Sequence, residues 1–134
     1  MRKVLISGAY GQVGLELYRA LSLKIGPDNI ICTDLRPPPA NIQVKHHYTL
    51  DALNKDALFD FLKKHQITEI YSLAALLSAT GEINPLLTQK INMDALFNTL
   101  EAGREGLVKK IFWPSSIAAF GDNSPKRCPQ LTIQ

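Results

Sequence analysis

The chain has 134 residues, 46% of them apolar, which suffices for one domain with a core of ordinary size. Its 15 basic and 12 acidic residues are scattered and leave a net charge of +3, so no field points to nucleic acid or to an anionic membrane as partner. No apolar stretch is long enough to span a bilayer, Cys32 and Cys128 stand far apart, and Met1-Arg2-Lys3 runs straight into an apolar segment without a secretory leader, so a cytoplasmic, reducing compartment is expected.

Taken in order, residues 3–7 read as a first strand and residues 12–25 as a helix with Val13, Leu17, Ala20 and Leu21 on one face. Gly26-Pro27-Asp28 forms the turn into a second strand over residues 29–33. Residues 35–41 hold three consecutive prolines and must be a loop. Residues 44–48 make a weaker third strand, because His46 and His47 interrupt its apolar pattern. Asn54 can cap a helix reaching residue 65, with Leu58, Phe61 and Leu62 at core spacing, and residues 69–74 form a fourth strand. Asn84 followed by Pro85 is a helix cap and first helical position, opening a long helix to about residue 102. Residues 110–113 form a fifth strand that ends at Pro114-Ser115-Ser116.

Strands separated by helices pair in parallel through right-handed crossovers, and two such halves meeting at the first strand give the order 3-2-1-4-5. The expected fold is therefore a doubly wound α/β sheet of the Rossmann type, one domain over residues 1–134. In such sheets ligands bind at the carboxyl ends of the strands. That rule brings residues 8–14, Asp34, Asp51, residues 74–81 and Ser115-Ser116 to one rim.

Gly8-Ala9-Tyr10-Gly11-Gln12-Val13-Gly14 lies between the first strand and the first helix, and Asp34 follows Gly14 by twenty positions. Glycines there remove side chains that would keep a pyrophosphate from backbone N–H groups, and the helix supplies a positive dipole end. The spacing G-x-x-G-x-x-G is not the G-x-G-x-x-G form, so strand, helix and distant carboxylate carry the dinucleotide reading, not the glycines alone. Asp34 can accept both ribose hydroxyls of the adenosine half and repel a 2′-phosphate, which favours NAD over NADP. Arg36 opposes that preference, since a guanidinium can hold a phosphate. Asp51 is placed to meet the exocyclic amine of adenine. Each feature has a plain alternative: glycines for turns, carboxylates as solvated strand ends, serines as caps. Their convergence on one rim favours the binding site.

These residues resemble the extended short-chain dehydrogenase/reductase superfamily, and within it the short-chain L-threonine 3-dehydrogenases. The likeness runs over the whole chain and is most discriminating at Leu76-Leu77-Ser78-Ala79-Thr80-Gly81-Glu82 and Pro114-Ser115-Ser116-Ile117-Ala118-Ala119-Phe120-Gly121. The resemblance implies that Gly8, Gly11, Gln12, Val13 and Gly14 hold the pyrophosphate of NAD. Asp34, Leu35 and Arg36 would form the ribose-binding strand end, and Leu50 and Asp51 the adenine contact. Leu73, Ala74 and Ala75, with Pro114, would line the nicotinamide half. Ser116 would hydrogen-bond the reacting substrate oxygen, Ser78 would lie in the substrate loop, and Asn92 would serve the active-site relay.

The implied reaction passes a hydride from the β-carbon of L-threonine to the nicotinamide and yields 2-amino-3-ketobutyrate. A secondary alcohol is too weak an acid to lose its proton unaided near neutral pH, and the family supplies a tyrosine whose ionised form is favoured by a lysine four residues later. Here Tyr10, Tyr18, Tyr48 and Tyr71 are followed four places on by Gly14, Ser22, Ala52 and Ala75. The pair would fall beyond Gln134, so the chain reads as the cofactor-binding part of a longer enzyme. The C-terminal substrate-binding region would be absent, and a homodimer is implied for the full-length form. An edge strand and one flank of the last helix should then lie uncovered.

Two alternatives stand beside this reading: a nucleotide-sugar epimerase or dehydratase, and a non-catalytic NAD-binding module. No metal is expected, because His46, His47 and His65 lack companions at ligand spacing. Cys32 reads as a small core residue and Cys128 as a loop residue without a neighbouring base. Trp113 is expected to pack beneath a helix.

Overall fold

The run Val4-Leu5-Ile6-Ser7 sends alternate side chains to opposite faces of a sheet, and all four residues are buried. Burial on both faces is the mark of a central strand in a parallel sheet. The computed structural model, which describes residues 1–75 and 83–115, contains β1 (Val4–Ser7), β2 (Ile30–Asp34), β3 (His47–Thr49), β4 (Glu69–Ser72) and β5 (Lys110–Phe112). They form one sheet in the order β3-β2-β1-β4-β5, every neighbouring pair parallel. Helices α1 (Gln12–Ile25), α2 (Lys55–His65) and α3 (Pro85–Arg104) connect the strands. The doubly wound topology expected from the sequence is the one observed.

Val4 and Ile6 join Ile30 and Cys32 in packing against Tyr18 and Leu21 of α1. On the other face Leu5, Ile31 and Ile70 meet Leu58, Phe59 and Leu62 of α2 and Ala102 of α3. Full burial of a large aliphatic side chain stabilises by ~1.5–3 kcal/mol, so these two layers dominate the fold. At the amino end of the sheet, Arg2 donates two hydrogen bonds to the Glu69 carboxylate, at 2.9 and 3.0 Å, fastening the start of the chain to β4.

Several local expectations change. The buried stripe of α1 is Gly14, Tyr18 and Leu21, whereas Ala20 is exposed and Val13 is 65% exposed. Gly14 sits directly against the backbone of Ala9, which turns the helix so that Val13 faces outward. In α2, Phe59 is buried and Phe61 is only half-buried. Strand β3 begins at His47 and not at residue 44: the His46 carbonyl accepts the Cys32 N–H of β2 at 2.9 Å, but the Lys45 N–H before it donates to the Tyr18 hydroxyl at 3.2 Å. Trp113 is 46% exposed instead of packed beneath a helix. It lies just past edge strand β5, whose outer side no strand of the described residues covers. Phe112 of β5 and Phe97 and Leu100 of α3 are exposed as well.

Helix α2 shows both kinds of cap. The Asn54 side chain accepts the Ala57 N–H at 3.1 Å, and Gln66 closes the other end in the left-handed region with φ 54°. An exposed non-glycine residue there carries a Cβ penalty of about 1 kcal/mol that glycine avoids. Gln66→Gly should therefore raise stability by roughly 0.5–1 kcal/mol, measured as a higher urea midpoint at unchanged m.

Candidate cofactor site

The three glycines of the turn do three different things. Gly8 has φ +75°, and a Cβ there would lie 2.6 Å from the Ala74 backbone nitrogen, so the turn rests on the end of β4. At Gly14 a Cβ would lie 2.4 Å from the Ala9 carbonyl oxygen, so this glycine lets α1 close onto the turn. Gly11 differs: an added Cβ would meet only the Gly8 carbonyl, at 3.9 Å. The space over Gly11 is open, and Gly11 is the N-cap of α1 without a side-chain hydrogen bond to the helix. The first-turn N–H groups of Gln12, Val13 and Gly14 have no intrahelical acceptor by geometry. Where a Ser or Asp cap would satisfy them, this chain leaves open space and a positive dipole end.

The turn is braced from beside it. The Gly8 and Ala9 N–H groups both donate to the Thr33 carbonyl, at 2.9 and 3.1 Å. Those two amides are committed to the fold, which leaves the helix amides as the donors that an anion could reach. The next residue along β2 is Asp34, 9% exposed. Its Oδ2 accepts the Tyr10 N–H at 3.0 Å and its Oδ1 the Arg36 N–H at 3.0 Å. The Arg36 guanidinium adds Nε to Oδ1 at 3.3 Å and Nη2 to Oδ2 at 3.4 Å. Burial pushes the Asp34 carboxyl upward, but the Arg36 side chain and the two backbone amides outweigh it and hold the group below the ordinary carboxylate range. Asp34 is thus ionised and oriented at neutral pH, and Leu35 beside it is exposed.

The remaining rim residues are placed as follows. Asp51 is exposed, with Oδ1 accepting the Leu53 N–H at 2.9 Å. Leu50 packs against the α2 side of the core, and the Asn98 side chain of α3 donates to the Ala52 carbonyl at 2.9 Å, tying this loop to the helix. Leu73 donates its N–H to the Ser7 carbonyl at 2.8 Å, so Leu73, Ala74 and Ala75 continue from β4 beside the glycine turn. Asn92 is half-buried on α3. Pro114 and Ser115 are exposed just past β5. Ser78 and Ser116, with most of the two discriminating segments, lie outside the described residues, as does Cys128.

Other reactive groups are accounted for. Burial pushes the Cys32 thiol up to about 12, which leaves it inert near neutrality. The Tyr10 phenol is raised to about 12, chiefly by burial and further by Cys32 and Asp34 nearby. His65 packs against Phe61 and Tyr48, with ring centroids 4.2 and 4.8 Å apart. Among the described residues no group of three His, Cys, Asp or Glu side chains could hold a metal, and no helix is long and apolar enough to cross a membrane.

Sequence reasoning missed the Thr33 carbonyl, the Tyr10 amide and the Arg36 fork onto Asp34. Only the fork left a sequence trace, in the charge pair at positions 34 and 36. It also missed a line of buried hydroxyls, Thr33, Ser7 and Ser72, paired across β2, β1 and β4, with Thr99 of α3 at 3.5 Å from Ser72. Open space over Gly11, unclaimed helix amides and the β2-end carboxylate together fit a dinucleotide.

Solved structures of similar sequence share the fold. The family model described as the NAD dependent epimerase/dehydratase family matches residues 4–132. An uncharacterized epimerase/dehydratase of Staphylococcus aureus (strain USA300) is 42% identical over all of this chain, which spans 42% of that relative's length. The L-threonine dehydrogenase structure from Clostridium difficile is 42% identical with a TM-score of 0.86, covering 100% of this chain and 43% of that one. A structure described as a monomeric L-threonine 3-dehydrogenase, from a metagenome, is 39% identical with a TM-score of 0.79, covering 91% of this chain and 39% of that one. With a glycine turn, a β2-end carboxylate and a family match over nearly its whole span, the chain belongs to the NAD-dependent epimerase/dehydratase family.

Proposed function

We propose that residues 1–134 form the NAD-binding domain of an oxidoreductase that acts on the hydroxyl-bearing carbon of a small hydroxy amino acid, with L-threonine as the first candidate. The observation that carries the cofactor half is the ionised Asp34 carboxylate, oriented by two backbone amides beside a glycine turn that is open at Gly11. The substrate class is supported by the likeness to threonine dehydrogenase structures and by the residues 76–82 and 114–121.

Bound NAD supplies a hydride acceptor. The chain's own part is to hold and orient it. Gly11 and the amides of Gln12, Val13 and Gly14 take the pyrophosphate, Asp34 the adenosine ribose, and Asp51 the adenine amine. Leu73, Ala74, Ala75 and Pro114 flank the nicotinamide end. Ser116 and Ser78 meet the substrate and Asn92 serves the relay, assignments that rest on the family resemblance. The alcohol proton needs a base, and Tyr10, with its phenol raised to about 12, stays protonated near neutral pH. None of the other tyrosines precedes a lysine by four positions, so the proposal places the base outside residues 1–134. A cytoplasmic enzyme and a homodimeric full-length form complete the reading, the latter favoured by the exposed Phe97 and Leu100 of α3. A nucleotide-sugar epimerase or dehydratase is the second reading, favoured by the name of the matching family.

The test is calorimetric titration of the 134-residue chain with NAD, followed by an assay with L-threonine. Binding without turnover is the expected result. Turnover at enzymic rates would refute the placement of the base, and a folded chain with no affinity for NAD would refute the proposal.

A further inference from the structure

The turn over residues 50–54 joins the end of β3 to the start of α2. Leu50 packs against the core and Asn54 caps α2, so both ends of the turn are held. Between them Asp51 is exposed, its Oδ1 accepting the Leu53 N–H at 2.9 Å and its carbonyl the Asn54 N–H at 3.0 Å. Those two bonds shape the turn but lie within it, and they do not stop it tilting as a unit. The middle of the turn is anchored from another element: the Asn98 side chain of α3 donates to the Ala52 carbonyl at 2.9 Å, across 46 residues of sequence.

Asn98 stands half-buried inside α3, between exposed Phe97 and buried Thr99. Asparagine is a poor residue for a helix interior because its side chain competes for backbone bonds. Here the amide is committed to the backbone of the turn. Further along α3, Glu101 lies 3.9 Å from Lys55 Nζ at the start of α2, an exposed contact too long to hold the turn by itself.

We propose that Asn98 is a positioning residue for adenine recognition: by pinning the Ala52 carbonyl it fixes the Asp51 carboxylate where the exocyclic amine of the base arrives. The inference rests on the dinucleotide reading above, in which Asp51 meets that amine. Asn98 itself touches no ligand. Its contribution is confined to the base, because the glycine turn and Asp34 are held by bonds from β2 and not from α3. Releasing the turn lets Asp51 drift, and a drift of about 1 Å is enough to lose a hydrogen bond of ordinary length.

The test is calorimetric titration of the unmodified chain and of Asn98→Ala, Asn98→Leu and Asn98→Gln with NAD and with its hypoxanthine analogue, which carries a carbonyl in place of the adenine amine. The unmodified chain should prefer NAD roughly tenfold, as expected for a hydrogen bond to a charged acceptor. Asn98→Ala and Asn98→Leu both remove the donor, the second at nearly unchanged volume, and the preference should fall to about threefold or less while affinity for the analogue stays within about twofold. Asn98→Gln, which keeps an amide, should retain more of the preference than Asn98→Leu. An undiminished preference in the folded Ala or Leu variant, or equal weakening of both ligands, would overturn this inference and leave the dinucleotide site standing. Equal binding of the two ligands by the unmodified chain would overturn it together with the adenine contact at Asp51, and binding of neither by the folded chain would overturn the dinucleotide reading as well.

Discussion

Gly14→Ala is expected to destabilise the chain by about 3 kcal/mol or more, whereas Gly11→Ala should leave stability within about 0.5 kcal/mol and instead weaken cofactor binding. The two glycines stand three residues apart on the same turn, yet their surroundings are opposite. A methyl group at Gly14 would lie 2.4, 2.7 and 2.9 Å from three backbone atoms of Ala9, none of which can rotate away. Either α1 lifts from the sheet, loosening Tyr18 and Leu21, or the turn deforms. For a domain whose whole stability is ~5–15 kcal/mol, that loss shows plainly as a lower urea midpoint. At Gly11 the added methyl meets nothing nearer than 3.9 Å, and its φ of −74° suits any residue. The methyl instead fills the approach to the helix amides, so NAD affinity should fall about tenfold or more. Equal destabilisation by the two substitutions would contradict this division of labour.

Asp34→Asn should weaken NAD binding by roughly ten- to hundredfold, the loss expected when hydrogen bonds to a charged acceptor are removed. The substitution has a second effect, on stability against acid. Burial pushes the Asp34 carboxyl up, but its hydrogen bonds from Arg36 and Tyr10 pull it further down, so the folded state holds it below its unfolded value. A depressed carboxyl stabilises the fold fully above the unfolded pKa of about 3.9, and the contribution fades as pH falls through the lower folded value. The acid limb of a stability profile should therefore be shallower for Asp34→Asn than for the unmodified chain. An unchanged limb would mean that the carboxylate is not held as the geometry shows.

How far the sequence could be read depends on the range of the interactions concerned. The strand order followed from periodicity and crossover handedness, since β1 and β2 both open on apolar runs with a helix between them. Asp34 was legible because its distance from the glycines is set by one helix and one strand. The face of α1 was not, because Gly14 carries no hydrophobicity and its burial comes from contact with Ala9. Trp113 misled for a related reason: an aromatic next to an apolar strand reads as core, but β5 lies at the edge of the order and its neighbour is exposed Phe112. The bracing of the turn by the Thr33 carbonyl was beyond reach, as a backbone acceptor has no letter of its own.

That carbonyl has a consequence for how this site can change over time. Because it fixes both Gly8 and Ala9, the last residues of β2 serve as the template on which the turn is moulded, and an insertion or deletion there would disturb the turn itself. Substitution at positions 34 and 36 leaves the template intact. On the proposed dinucleotide reading, the turn that takes the diphosphate and the residues that meet the ribose are then separable, and the second can be substituted without reshaping the first.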